Sequence, residues 1–376
     1  MAHLRPDYSG LRESTGFSWS VGASYYALLG LVPEISMAEF SRDPTAGIEL
    51  FRTGRPRFRE LFDDRIPLPA VSTPAVSYGH IDGLGVELVF PEDGEVNYVR
   101  SDLGLHEWIE VLKRRQDFPS QGRAPFFLDY HRRLKEAFPG EHVGFSYGYE
   151  GPMTTAYELR DSAVFTDVYD EPEKFREFMR LLVASIVEFA HFHHDVLGIP
   201  RVSPAGSGMC DDVSSMFHPD MWPEMVLPYI HAFYDGLTTG RRTAHIEDLR
   251  PEQLHFLEDI GLFYYDPSIS PKISPPVITR ECRVPFGWRL GSYHYWSMNA
   301  QDIRDWIFQA TADGASKVFT HVAQIMVTEP TVSKVYAFMD AAAQAERMLR
   351  EGASREEVGQ EVSEAGRKRF WGTWPD

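Results

Sequence analysis

The chain has 376 residues, 55 acidic against 37 basic side chains and a formal net charge of −18. That acidic excess speaks against nucleic acid or an anionic membrane as partner, because their phosphates would be repelled. Two cysteines, Cys210 and Cys282, exclude a disulfide framework and a zinc site made of thiolates alone.

In chain order, residues 1–45 read as an N-terminal extension of mixed polarity, with a short helix in 23–31. Its charged start is unlike a signal peptide, and no stretch reaches the roughly 18 apolar residues of a membrane span. The expected compartment is therefore the cytoplasm. Residues 48–62 read as a helix interrupted near Gly54 and Pro56, and β-like patches follow at 66–71 and 77–90. Helical spacing recurs at 103–115 and 127–138. From residue 142 a regular alternation begins. Strands are expected at 142–147, 200–203, 242–246, 262–265, 284–290 and 317–321. Helices are expected at 171–197, 218–237, 251–260, 274–280, 300–313 and 330–349. Asp170 is the expected N-cap of the first of these, with Pro172 opening it. Short strands alternating with longer helices indicate βαβ units and a parallel sheet. With the two earlier patches the strands number eight, the count of a closed (β/α)8 TIM barrel spanning 46–350. An open doubly wound sheet is the alternative. No G-x-G-x-x-G follows the first strand, so no nucleotide cofactor is expected. Residues 351–376 form a charged tail ending in Phe370, Trp371 and Trp374.

A parallel barrel carries its chemistry at the C-terminal ends of its strands. Here those ends supply Tyr149 and Glu150, then Met209, Cys210, Asp211 and Asp212, then His245 and Glu247. Tyr265 and Asp266, Tyr293 and His294, and His321 and Gln324 follow. His245 and Glu247 are alternate residues, so both side chains can face one way and hold one metal ion. His321 is the expected third ligand, with Gln324 or Cys282 as substitutes. Two histidines and a carboxylate suit zinc, and also iron or manganese. A hydrogen bond between His245 and Glu247 without metal is the plainer alternative. Asp211, Asp212, Tyr293 and His294 are the expected catalytic groups. Tyr149, Met209, Cys210 and Tyr265 are expected to contact a small-molecule substrate. His191, His193 and His194 read as a solvated helix face, and a homodimer is the expected assembly.

The order of several short motifs resembles the uroporphyrinogen decarboxylase superfamily, which includes cobamide-dependent methyltransferases. The segment Glu150-Gly-Pro-Met-Thr-Thr-Ala156 resembles that family's Gly-Pro-Phe-Thr stretch, and Val168-Tyr-Asp-Glu-Pro-Glu173 the start of its long helix. Residues 211–228, His245, residues 287–299 and Val327-Thr-Glu-Pro330 follow in matching order. The resemblance implies a barrel enzyme performing methyl transfer or decarboxylation, with a corrinoid protein as a conceivable partner. A non-catalytic binding homologue is a further alternative. The methyltransferase branch carries His-x-Cys and a later Cys as zinc ligands. This chain has His245-Ile-Glu247 and no Cys in 321–326. It also lacks the decarboxylase branch's Arg-Gln-Ala-Gly-Arg run.

Overall fold

A computed structural model describes residues 4–92 and 94–371 of the chain, apart from the side chains of Phe370 and Trp371. Asp93, and Trp374 of the tail, lie outside the described residues. The protein is of mixed α/β class, and among the described residues its strands group into three separate sheets, none of them closed. No helix among the described residues is long and apolar enough to cross a membrane. The chain divides into two compact units.

The first unit comprises Glu34–Phe51 and Ala70–Ala244. Its longest element is the helix Pro172–Leu197, which buries Phe175, Phe178, Leu182, Ile186 and Phe189. Glu171, rather than the expected Asp170, stands at its N-cap, and Gly198 ends it in the left-handed conformation at φ 68°. A glycine bears that conformation at no steric cost. The expected strand 142–147 is reduced to two parallel bridges, Ser72 with Gly144 and Val76 with Tyr147. The β-like patch 77–90 is mostly not extended. Gly79–Gly83 is a helical turn, and only Leu88–Val89 (β2) pairs, antiparallel to Asn97–Tyr98 (β3). The strand expected at 200–203 lies a few residues later, at Gly206–Cys210 (β4), beside Arg241–His245 (β5). The glycines of β4 serve close pairing. A Cβ on Gly206 would stand 2.6 Å from the Arg241 carbonyl oxygen.

The second unit comprises Arg5–Pro33, Arg52–Pro69 and the chain from His245 onward. The region expected as an extension supplies a strand, Ser18–Ala23 (β1). It pairs in parallel with Lys317–Val322 (β8), Ser18 opposite Lys317 and Gly22 opposite His321. Gly287–Arg289 (β7) pairs with the other edge of β8. Leu262–Asp266 (β6) joins Phe286 through a parallel bridge at Tyr265. The sequence hid β1 because only Val21 of its six residues is fully buried, leaving no apolar alternation to read. The helices Ala300–Ala312 and Thr331–Arg350 pack side by side against this sheet. Asn299 caps the former reciprocally with Asp302, at 3.0 and 2.9 Å. The Trp19 indole donates to Glu346 at 3.1 Å and pins β1 to the latter.

Candidate functional site

In the second unit, strand parity decides which side chains share a face. On β6 the alternation puts Tyr264 with Asp266 and sends Tyr265 the opposite way. Tyr265 is fully buried and donates its hydroxyl to the Ile246 carbonyl at 2.9 Å. It is a core residue, not the expected substrate contact. On β7 and β8 the matching face carries Gly287 and Arg289, and Phe319 and His321. Two glycines make room on this face. A Cβ on Gly22 would lie 2.5 Å from His321 Nδ1, and one on Gly287 would overlap the Tyr264 hydroxyl.

His245 ends β5 between two carboxylates. Its Nε2 stands 3.3 Å from Glu247 Oε1 and its Nδ1 3.1 Å from Asp266 Oδ2. The hydrogen bond from His245 holds the Glu247 carboxyl below its ordinary range, with Ser268 and Arg289 adding to it against the cost of burial. Asp266 is itself fixed, its Oδ1 accepting the Ser268 backbone N–H at 2.8 Å. Asp248 and Ser268, just beyond the two acids, adopt φ of 60° and 54°. Non-glycine residues in that region are uncommon and gather where a site holds its backbone under constraint.

Arg289 is a cation of this face, with Lys317 further back on the same side of β8, and its Nε is buried with no hydrogen-bond partner. Partial desolvation and the nearby Arg289 keep the His321 imidazole below its usual range, while Asp266 opposes them. His321 thus neighbours Asp266 electrostatically, although its residue surface is exposed. Tyr293 is exposed at the rim and feels both Arg289 and Glu247. One ring nitrogen of His294 is engaged in the fold, Nδ1 accepting the Gly291 N–H at 3.1 Å. Of the substitute ligands, Gln324 is exposed in the short turn Gln324–Met326. Cys282 is buried before β7, at the opposite strand end from Arg289, and burial pushes its thiol up to about 12. It is no ligand for this face.

The first unit holds a second cluster. Asp211 is fully buried and accepts the Met153 and Thr154 backbone N–H groups at 2.9 and 2.8 Å, with the Ser214 hydroxyl on its other oxygen. It caps the helix Pro152–Arg160, so its oxygens are occupied by the fold rather than free for the expected catalysis. Burial pushes it up to about 6, against those donors. Glu150 is pushed up to about 7, by burial first and then by Asp212 and Asp211, while Ser77 and Cys210 hydrogen bonds oppose the rise. Burial and the same carboxylates push the Cys210 thiol well above its ordinary range, so it is no thiolate nucleophile. Glu158 is buried as well, and burial first, then its neighbours Glu150 and Asp211, push its carboxyl well above the ordinary range. Asp212 is half-buried and stays beside Glu150 electrostatically. Tyr149 is half-buried among the rings of Phe189, His193 and Phe233, and Met209 is buried on β4. The three helix histidines are not a solvated face. His191, His193 and His194 each bond a backbone carbonyl, of Gly236, Phe145 and Arg201.

Sequence reading thus placed Glu150 and Asp266 at strand ends without giving them a role, and passed over Glu158, Tyr264 and Arg289. Strand parity was the available signal for Tyr264 and Asp266. Burial, which alone sets Glu150 and Glu158 apart, leaves no local pattern.

A family model described as uroporphyrinogen decarboxylase matches residues 64–272, more than half of the chain. No curated protein matches the chain. Among solved structures, a methyltransferase from Methanosarcina mazei is similar, with a TM-score of 0.63 at 15% identity. The likeness covers 89% of this chain and 96% of that one, and it speaks to the fold.

Proposed function

This chain belongs to the uroporphyrinogen decarboxylase family, and from that premise we propose an enzyme that acts on a small anionic molecule with a divalent metal ion. His245 and Glu247 would hold the ion, and His321 is proposed as the third ligand. The parallel strands are inferred to close into the family's (β/α)8 barrel, supported by the TM-score of 0.63. The observation that carries the metal reading is the Asp266–His245–Glu247 chain. Its Nε2 to Oε1 separation of 3.3 Å fits two ligands of one tetrahedral ion, which stand about 3.4 Å apart for bonds of about 2.1 Å. Asp266 on Nδ1 is the outer carboxylate that orients a ligating imidazole and fixes its tautomer.

Nitrogen and oxygen donors favour zinc as a Lewis acid, or iron or manganese, over a thiol-activating zinc site. Bound there, the ion would polarise a substrate heteroatom for methyl transfer or lyase chemistry. The chain's own groups do the rest. Arg289 offers an unpartnered buried N–H to a substrate carboxylate or phosphate. Tyr264 lines the same face, and Tyr293 closes its rim.

Metal analysis of the dialysed protein tests this. Near-stoichiometric metal is expected in the native protein and little in the His245→Ala and Glu247→Ala variants. Asp266→Asn should weaken metal affinity by about 10–100-fold. A metal-free native protein, or full occupancy in His245→Ala, overturns the assignment. A second reading, a metal-free carboxy-lyase, draws on Glu150, a half-buried acid pushed up to about 7. Such an acid could protonate the carbon that loses carbon dioxide. Carbon dioxide release from porphyrinogens by chelator-treated protein, lost in Glu150→Gln, would favour it; no release would remove it.

A further inference from the structure

The second unit contains a cavity of about 440 Å³ lined by three guanidinium groups, Arg12, Arg280 and Arg355. It lies where the helices Pro275–Glu281 and Ala300–Ala312 end and the chain turns into β7 and β8. These are the N-terminal ends of the strands, so the cavity is remote from Arg289 and His321 at the other ends.

Arg12 reaches the carbonyls of Thr279 at 3.4 Å, Val284 at 3.0 Å and Cys282. Arg355 reaches those of Ala315 at 3.0 Å and Thr311. Among the described residues, both arginines hydrogen-bond only backbone carbonyls. Carbonyl oxygens at helix ends satisfy donors and carry partial negative charge, but they do not neutralise two cations. Arg12 Nε is moreover buried with no hydrogen-bond partner. The two charges sense each other: burial first, and then Arg12, depress Arg355, while Glu13 opposes them and, with Glu258, partly offsets the burial of Arg12.

Two acids also line the cavity. Asp313 accepts from Gln309 at 2.9 Å and is itself pushed toward its neutral form by burial, and Glu13 is exposed. Arg280 is exposed and bonds Glu281 at 2.6 Å. In a chain of net charge −18, three cations around one concavity form a local exception. Like charges held together at partial burial are costly unless an anion joins them. A guanidinium presents parallel N–H donors that match an oxyanion. The volume lies within the range of small-molecule sites.

We propose that this cavity binds a small oxyanion, a phosphate- or carboxylate-bearing metabolite, at a site separate from the catalytic face. The full-length protein is titrated with sodium phosphate, pyrophosphate and succinate, each against sodium chloride at matched ionic strength. Melting temperature and calorimetric heat are read. The three anions distinguish phosphate from carboxylate as the preferred head group. A saturable rise in melting temperature is expected with at least one of them. Arg355→Gln should weaken that binding by about tenfold or more, and Arg280→Gln should weaken it measurably. Arg289→Gln should leave it unchanged, because that residue belongs to the other face. A response no greater than chloride's overturns the proposal and leaves the arginines as caps of helix ends. So does unaltered affinity in the arginine variants of the cavity, or loss only in Arg289→Gln. If Arg355→Gln fails to fold, the exposed Arg280 decides alone: full affinity in Arg280→Gln overturns the site.

Discussion

Glu150 carries a proton near neutral pH, where an ordinary glutamate has lost its own. The fold raises it from 4.5 to about 7 by removing it from water. The neutral form is the one the native state prefers. Its contribution to stability is therefore complete below about 4.5 and fades as the pH rises through 7. Over that interval the cost of ionising it in place is about 3 kcal/mol. The Glu150→Gln variant, neutral at every pH, should match the native protein at pH 5 and exceed it at pH 8 by up to that amount. Urea unfolding at the two values checks this, and equal slopes with pH would show that Glu150 is not a buried acid. Residues of this kind are poorly legible in sequence. The pairing of His245 with Glu247 followed from alternate spacing alone, and the two are in contact. Asp211 was equally visible, but its two backbone donors come from residues 153 and 154, some 57 positions away. Only the folded chain reveals that its oxygens are taken. Tyr265 failed for a smaller reason: being one residue out of phase on a strand turns a site contact into core.

At the scale of elements, small residues shape the site face. Gly287 leaves room for the Tyr264 hydroxyl, with Phe319 2.9 Å from where a Cβ would stand. Gly287→Ala should therefore cost about 1–3 kcal/mol by overpacking. Tyr264→Phe in the same chain should recover part of the loss, since it removes the atom nearest the new methyl. Thermal melts of the single and double variants measure this, and a stable Gly287→Ala would mean that β6 and β7 are less closely packed. Most helices were legible, because their apolar spacing is local. The helix Pro172–Leu197 matches its expected span within a residue, with Pro at its start and Gly past its end. The strands were less so. β4 lies a few residues beyond its expected place because two of its five residues are glycines, and β1 was missed because serines occupy two of its six positions.

For the molecule as a whole, the N-terminal strand is an integral part of its unit. β1 covers one edge of β8, and Trp19 ties it to the helix Thr331–Arg350. Deleting residues 1–24 should expose that edge and abolish cooperative unfolding of the second unit. Circular dichroism melts and proteolysis of the shortened chain check this; a sharp native-like transition would return the segment to the status of a dispensable extension. The pairing of Ser18 with Lys317 also has a consequence in time. Nearly the entire chain separates the two strands, and a ribosome adding about 5–20 residues per second needs roughly 15–60 s to cross that interval. Until then the nascent β1 has no partner, and the second unit cannot assemble however early its own N-terminal segment emerges. The growing polypeptide must be kept from aggregating for that period, so its yield in a cell should depend on chaperone supply as well as on the stability of the finished fold.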